Sequence, residues 1–404
     1  MTGHSHSPFT ERSAFSDARE ALAEQVDQHG RTETVPLGSA VGRTVGESIT
    51  AQRNVPHYPR AAMDGYAVRA EDTFGASDRS PQILRATDEE VGPREARQVH
   101  TGSKLPEGAD SVVMIEQVEE VGDDIELFDG VSEGENVGPV GEDVEAGQQL
   151  YEPGHRLRPS DVGLLKSVGN TDVTVFERPQ VAVIPTGEEL VQSDPDPGEI
   201  IETNGLTVSE LAESWGGETT YHDVVTDDIE KLKAAIRDNL DHDIIATTGG
   251  SSVGKRDLLP EVVSDLGEVH VHGVGIKPGH PFAFGTVEGT PLLMLPGYPV
   301  SCLINAVQFL RPAIKWAGGL PFEDPPEVEA ELAEKVYSEP GLRSFARVQL
   351  DDDGETRVAK TVRSSGAGVL SSVALSDGWV VVPEQREGLA EGETVAVQNW
   401  EWSP

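Results

Sequence analysis

The stretch DIIATTGGSSVGKR, from Asp243 to Arg256, decides how the rest of the chain is interpreted. Its apolar run leads into two threonines and a glycine-rich segment, and apolar residues at helical spacing follow from Leu258 to Leu266. This order predicts a buried strand, a loop and a helix. Glycines let the backbone approach an anion, and a helix N-terminus offers free N–H groups, so the loop is a candidate phosphate cradle. Taken alone, the stretch fits a tight strand–helix turn without a ligand about as well.

The same alternation of strand and helix continues on both sides of this stretch. Further strands are predicted at Gln180–Pro185, Thr219–Val225, Val269–Ile276 and Leu292–Leu295. Strands that alternate with helices at this spacing predict a parallel, doubly wound sheet over roughly residues 178 to 318. Ligands of such sheets bind at the carboxyl ends of the strands.

Several acidic residues follow these predicted strand ends. Glu189 follows the first strand, Asp227 and Asp228 follow the second, and Asp257 opens the helix after the third. Acids beside a phosphate cradle need a divalent cation between them, because like charges otherwise repel, and Mg²⁺ prefers oxygen ligands. The alternative for one of the two consecutive aspartates is a helix N-cap. Lys277 and a proline-rigid loop, Pro296 to Pro299, follow later strands on the same edge.

Composition limits the classes of partner. The 404 residues predict about two to four domains. Acidic residues number 71 against 31 basic ones, for a net charge of −40, which disfavours nucleic acids and anionic membranes and indicates a salt-rich cytoplasm. The single cysteine, Cys302, excludes an intramolecular disulfide and a cysteine zinc cluster. Without an apolar run of about 18 residues or a signal peptide, the chain is expected to be soluble and not exported.

The residue patterns on either side of the predicted α/β region differ from the pattern within it. Residues 34 to 174 show short strands, turns and many glycines without long helices, after a predicted helix at Ser16–Val26. Beyond Pro321, five short stretches alternate apolar and polar residues and predict a small β-barrel or sandwich.

Eight motifs in order resemble the molybdopterin molybdenumtransferases, the MoeA and gephyrin E-domain family. They are AAMDGYAVRAED (61–72), TGSKLPEGADSVVMIE (101–116), GENVGPVGEDVEAG (134–147), PTGEEL (185–190), GEIIETN (198–204), TTGGSSVGKRD (247–257), IKPGHPFAFG (276–285) and LPGYPVS (295–301). The resemblance runs from about Phe15 to Val397 and implies a multi-domain α/β fold. An elongated N-terminal α+β region (1–177, its β subdomain about 45–150) would precede a doubly wound molybdopterin-binding domain (178–320) and a C-terminal β-barrel (321–404).

The resemblance also implies a reaction and a homodimer. Adenylylated molybdopterin would receive molybdate with release of AMP, giving molybdenum cofactor. Glu189, Asp228 and Asp257 would hold Mg²⁺, and Lys277 would meet phosphate or molybdate charge. The residues implied to contact the substrate are Gly249, Gly250, Ser251, Ser252, Gly254, Pro296, Pro299, Arg347 and Ser371. Asp64, Thr101 and Asp143 would reach in from the partner subunit.

Three positions depart from the family pattern. His280 replaces the second lysine of KPGKP, Tyr298 replaces the asparagine of PGNPVS, and Gly138 stands where an arginine is common. All three reduce basic or amide contacts to an anion, which leaves the preference for molybdate or tungstate open. The alternative functions are the molybdopterin adenylyltransferase, which is also a candidate partner, and a non-catalytic molybdopterin-binding scaffold.

Overall fold

The computed structural model describes residues 12–249, 258–352, 357–362 and 367–402. Contacts divide the chain into two compact units. The flanking unit joins the residues up to Glu33 to those from Phe176 onward, and the inserted unit is Thr34–Val175. Each unit has hydrophobic cores of its own.

A six-stranded sheet with helices on both faces forms the first half of the flanking unit. In chain order its elements are β1 (Gln180–Thr186), α1 (Asn204–Ser214), β2 (Glu218–Tyr221), α2 (Ile229–Arg237), β3 (Ile244–Gly249), α3 (Leu258–Leu266), β4 (Glu268–His272), β5 (Ala283–Val287), β6 (Thr290–Leu295), α4 (Pro299–Asn305) and α5 (Arg311–Ala317). The strand order is β2-β1-β3-β6-β5-β4. β2, β1, β3 and β6 run parallel, whereas β5 is antiparallel to both of its neighbours.

Alternation along the buried strands explains the two helical layers. Val181 and Val183 of β1 pack on one face with α1, α4, α5 and an N-terminal helix, Phe15–Ala23. Ala182 and Ile184 pack on the opposite face with α2 and α3. Successive side chains of a strand point to opposite faces, so an unbroken apolar strand requires cover on both sides. The predicted doubly wound arrangement is therefore confirmed.

The predicted sheet was wrong at one edge. The strand predicted at Val269–Ile276 ends at His272, and β5, which was not predicted, returns antiparallel to β6. The β5–β6 turn is Glu288-Gly289, and both residues have positive φ (52° and 91°), as a two-residue hairpin turn requires. This hairpin makes the sheet mixed. The helix predicted after Ser301 is interrupted by a π-helical turn, Ala306–Leu310.

The second half of the flanking unit is a closed β-barrel. Its strands are β7 (Glu327–Leu332), β8 (Arg343–Asp352), β9 (Arg357–Thr361), β10 (Gly378–Val382) and β11 (Thr394–Gln398). They pair in the order β8-β9-β7-β11-β10, and β10 also pairs with β8, which closes the ring. A two-residue strand, Ile276–Lys277, adds to β8 from outside the ring. All five predicted strands are present, and the barrel alternative is confirmed over the sandwich.

The inserted unit is built mainly from short strands. Its largest sheet orders Ser111–Met114, Gly65–Val68, Glu95–Val99, Gln82–Ala86, Asp124–Leu127 and Val118–Val121. It also contains two small antiparallel pairs, Arg60–Ala61 with Val137–Gly138 and Ile49–Thr50 with Gln149–Tyr151, one α-helix, Pro159–Ser167, and three short 3₁₀ helices. A further strand pair, Thr32–Pro36 with Asp172–Phe176, lies where the chain enters and leaves the unit. Among the helices in the described part of the chain, none combines the length and apolar composition that a bilayer crossing requires.

Candidate functional site

The carboxyl ends of four parallel strands define one edge of the α/β sheet. β1 and β3 are in register to their last residues, where Thr186 pairs with Gly249, and β6 pairs with β3 up to Leu295. The loops that leave β1 and β6 at this edge are Gly187–Glu189 and Pro296–Tyr298. The structure thus places Gly249, the loop that carries Glu189 and the PGYP segment on one sheet edge.

Glycine is required at the end of β3. Gly249 has φ +104°, and a Cβ there would lie 2.2 Å from the Thr186 carbonyl oxygen. A Cβ on Gly297 would lie 3.4 Å from the Gly249 Cα, so the two backbones approach closely. The Asn204 side-chain amide at the start of α1 donates to the Gly297 carbonyl (2.7 Å). The ends of β1 and β3, the start of α1 and the loop after β6 therefore meet around Gly249 and Gly297, which we term the glycine floor.

Two buried hydroxyls lie at the same strand ends. The side chains of Thr186 and Thr248 are 1% exposed, and no residue in the described ranges supplies their Oγ1 atoms with a hydrogen-bond partner. Buried polar atoms are normally paired, and exceptions mark strain, catalysis or a bound group. Among the described residues, these two hydroxyls are thus unpaired beside the glycine floor.

Two acidic side chains converge at the loop after β1. The carboxylate of Glu189 folds back over Gly187, where a Cβ would lie 3.1 Å from Oε2. Partial desolvation raises the pKa of Asp227, and the nearby carboxylates of Glu189 and Glu188 raise it further. The backbone N–H of Glu188 donates to Asp227 and partly offsets this increase in pKa. Carboxylates that repel each other in this way are the kind of oxygen ligand that a divalent cation takes.

Asp228 has a different role from its neighbour. It is the N-cap of α2, and its carboxylate accepts a hydrogen bond from the Lys231 backbone N–H (3.0 Å). The N-cap alternative therefore applies to Asp228, and the position facing Glu189 belongs to Asp227. Both aspartates are exposed and consecutive, so no sequence pattern separated them.

Part of the predicted site lies outside the described residues. This applies to Asp257, Gly250, Ser251, Ser252 and Gly254. Within the residues that the structure does describe, no group of three His, Cys, Asp or Glu side chains is close enough to hold a metal ion. The described residues therefore show the pair Glu189 and Asp227 but no complete metal-binding group.

Lys277 is hydrogen-bonded into the barrel. It belongs to the Ile276–Lys277 strand and pairs with Ser344 of β8. Its ammonium group donates to Glu339 (2.6 Å), and this contact lowers the pKa of Glu339. Both side chains are at least half exposed, so a competing anion could displace the carboxylate at low cost.

The remaining predicted residues of the flanking unit lie in its loops and barrel. Pro296 follows β6, and Pro299 is the first residue of α4, where a missing N–H costs nothing. Arg347 lies in β8 opposite Trp379, and burial lowers its pKa. Ser371 opens a short helix, Ser371–Ala374, and is exposed.

In the inserted unit, Asp64 and Thr101 form one hydrogen-bonded group. The Asp64 carboxylate accepts from the Thr101 backbone N–H (2.7 Å) and hydroxyl (3.0 Å). These two donors lower the pKa of Asp64, with a smaller effect of His100 in the same direction. Asp143 is exposed on a neighbouring turn, where its backbone N–H donates to the Val55 carbonyl (2.9 Å).

Three family profiles cover most of the chain. They are the MoeA N-terminal region (domain I and II) at residues 13–169, a probable molybdopterin binding domain at 182–316, and the MoeA C-terminal region (domain IV) at 329–400. The chain is 37% identical over 398 residues to a putative molybdopterin biosynthesis protein of Methanocaldococcus jannaschii, covering 96% of each chain. It is 33% identical to a molybdopterin molybdenumtransferase of Haemophilus influenzae, covering 95% of this chain and 98% of the relative.

A solved structure agrees with these matches. The molybdopterin biosynthesis MoeA protein of Pyrococcus horikoshii superposes with a TM-score of 0.84 at 36% identity, covering 96% of this chain and 99% of that one. Identity, coverage and fold agree along the full length, and the chain therefore belongs to the MoeA family.

Proposed function

We propose that the chain inserts molybdenum, supplied as molybdate, into adenylylated molybdopterin and releases AMP, which gives molybdenum cofactor. The name molybdopterin molybdenumtransferase, borne by relatives that this chain matches over most of its length, supports this transferase role. The observation that carries the proposal is the convergence of Glu189 and Asp227 beside the glycine floor.

The donor set fits a magnesium ion. The Glu189 carboxylate raises the pKa of Asp227, and a divalent cation with oxygen ligands would stabilise the charged form of Asp227; Asp257 is proposed as a third ligand. When bound, the ion would neutralise charge that develops on the phosphoanhydride during cleavage. In this proposal Asp227 replaces Asp228 in the ligand set, because Asp228 caps α2.

The other residues are proposed to hold the substrate. The backbone of Gly249 and of the predicted cradle, Gly250 to Gly254, would approach the phosphates, and the hydroxyls of Thr186 and Thr248 would donate at the same edge. Lys277 would exchange Glu339 for molybdate or phosphate charge. Fixed N–H donors close to the phosphate oxygens stabilise the negative charge that develops on them during the reaction.

A homodimer would complete the site. Asp64, Thr101 and Asp143 of the partner subunit are proposed to reach the substrate, as the family resemblance implies. Asp64 supports this because its carboxylate is held ionised by two donors at an exposed position. The domain limits given above, at residues 177 and 320, remain proposals.

The test is molybdenum insertion in vitro with adenylylated molybdopterin, Mg²⁺ and either molybdate or tungstate, at high salt. Glu189→Ala is expected to abolish insertion and to leave the oligomeric state unchanged. Glu329→Ala, which removes an exposed acid from β7 of the barrel, is the matched control and is expected to retain the rate. An unchanged rate in Glu189→Ala would refute the assignment. Adenylylation of molybdopterin from ATP without metal insertion would support the adenylyltransferase instead.

A further inference from the structure

An exposed aromatic ring adjoins the glycine floor. Tyr298 follows Gly297 directly and is the N-cap residue of α4. It is 65% exposed, whereas the large aromatic side chains Phe282, Phe284 and Phe309 in the same half of the unit are completely buried. A large ring left open at the ligand-binding edge of a sheet is available for contact with a ligand.

The backbone of the barrel half supports this ring from one side. A Cβ on Gly368 would lie 3.5 Å from Cδ1 and 3.8 Å from Cε1 of the ring. The segment is anchored because the Val300 backbone N–H donates to the Ala367 carbonyl (3.1 Å). The ring therefore lies beside Gly368 on one side and remains open to solvent elsewhere, which is the combination that a stacking surface needs.

The backbone that precedes Tyr298 also contacts the candidate phosphate site. Gly297 approaches Gly249, and Asn204 donates to the Gly297 carbonyl, so the residue before Tyr298 is fixed from two sides. A ligand with its phosphate at the glycine floor would place an attached planar ring near the residue that follows Gly297. Aromatic side chains bind such rings by stacking, without selecting one base over another.

We infer that Tyr298 is a stacking platform for a planar nitrogen heterocycle of the substrate. The inference rests on the proposed function, whose substrate carries two such rings, a pterin and an adenine. Stacking by a neutral ring is not screened by salt, unlike a contact made by a charged side chain. Tyr298 is therefore a specificity-determining residue that acts on the ring, while the glycine floor acts on the phosphate.

The test separates the ring from the phosphate by using three probes. Dissociation constants are measured calorimetrically for AMP, a pterin monophosphate and inorganic phosphate, at low and at molar salt. Tyr298→Ala and Tyr298→Asn are expected to weaken binding of at least one ring-bearing probe about tenfold and to leave inorganic phosphate unchanged. Tyr298→Phe is expected to stay within about twofold, because the ring is kept. The probe that loses affinity identifies which heterocycle stacks.

The matched control is Tyr337→Ala, which removes a tyrosine that is 76% exposed elsewhere in the flanking unit. It is expected to change none of the constants, and thermal melts check that every variant is folded. Equal binding by Tyr298→Ala, an equal loss in Tyr298→Phe, or no binding of either ring-bearing probe by the unaltered protein would overturn the inference. Because binding is measured without turnover, ring-dependent binding in a chain that inserts no metal would refute the proposed function alone.

Discussion

Asp64 in the inserted unit and Asp227 in the flanking unit are both exposed aspartates, yet their pKa values shift in opposite directions. Asp64 faces two hydrogen-bond donors of Thr101, which favour the charged form. Asp227 is partly desolvated and faces the carboxylates of Glu189 and Glu188, which disfavour the charged form. The comparison teaches that desolvation and the neighbouring groups together decide which charge state an aspartate on the surface favours. Asp64 is stabilised in its charged form by hydrogen-bond donors, whereas Asp227 is destabilised in its charged form by its surroundings.

The largest expected effect comes from neutralising Asp227. Asp227→Asn should lower molybdenum insertion by about 100-fold or more and weaken Mg²⁺ binding, because it removes a carboxylate ligand. Asp228→Asn is the matched control, since asparagine is also a good N-cap, and it should retain the rate within a few-fold. Insertion kinetics and magnesium titration measure the difference. Equal losses in the two variants would contradict the separation of the two aspartates.

A smaller effect is expected from removing one donor to Asp64. Thr101→Val keeps the backbone N–H and deletes the hydroxyl, so the pKa of Asp64 should rise toward its ordinary value. Loss of a hydrogen bond to a charged group should slow insertion by roughly tenfold if Asp64 acts in the reaction. Thr101→Ser should restore both properties. Carboxyl chemical shifts followed over pH give the pKa, and an unshifted value would show that the hydroxyl contributes nothing.

The N-cap of α2, Asp228, gives a third prediction, which concerns the stability of the protein and not its activity. Asp228→Ala should reduce the free energy of unfolding by about 1 kcal/mol, because the Lys231 N–H loses its partner. Asp228→Ser should be close to neutral, since serine caps as well as aspartate. Denaturant unfolding of the three proteins tests this. An alanine variant as stable as the unaltered protein would mean that water satisfies the Lys231 N–H at no cost in free energy.

The smallest expected effect is a pH dependence of opposite sign at the two sites. Because the folded-state pKa of Asp227 is raised, the metal-free protein loses stability from this residue as the pH rises from about 4 through that pKa. Because the pKa of Asp64 is lowered, its contribution is present above about 4 and is lost as the pH falls through the folded-state pKa. Unfolding midpoints are measured between about pH 3 and 7 with a chelator present. Compared with the unaltered protein, Asp227→Asn should lose less stability as the pH rises, and Asp64→Asn should lose less stability as the pH falls. Slopes of the same sign would refute the contrast.

The sequence predicted the elements whose signal is local. Alternating apolar residues and glycine turns marked all five barrel strands, and unbroken apolar runs marked the buried parallel strands. The β5–β6 hairpin was missed although its Glu288-Gly289 turn is a signal that could have found it. The glycine at position 249 was recognised, but the reason for it, the Thr186 carbonyl, belongs to another strand.

The site was predictable only to the level of residue type and segment. Which of Asp227 and Asp228 faces Glu189 depends on the backbone path into α2 and on the cap, and consecutive identical residues carry no signal of either. The partner of Lys277 is Glu339, which is distant in sequence and lies next to it only because Ile276–Lys277 pairs with β8. Tertiary pairing of this kind leaves no local pattern.

The pairing of Ile276–Lys277 with β8 also bears on how the chain can be divided. A segment that lies between two strands of the α/β sheet pairs with β8 from outside the barrel ring, so truncation at about residue 320 would leave main-chain groups on both fragments without partners. The barrel and the α/β layer should consequently melt together in one cooperative transition. Fragments cut at this junction should prove insoluble or partly folded when they are expressed alone.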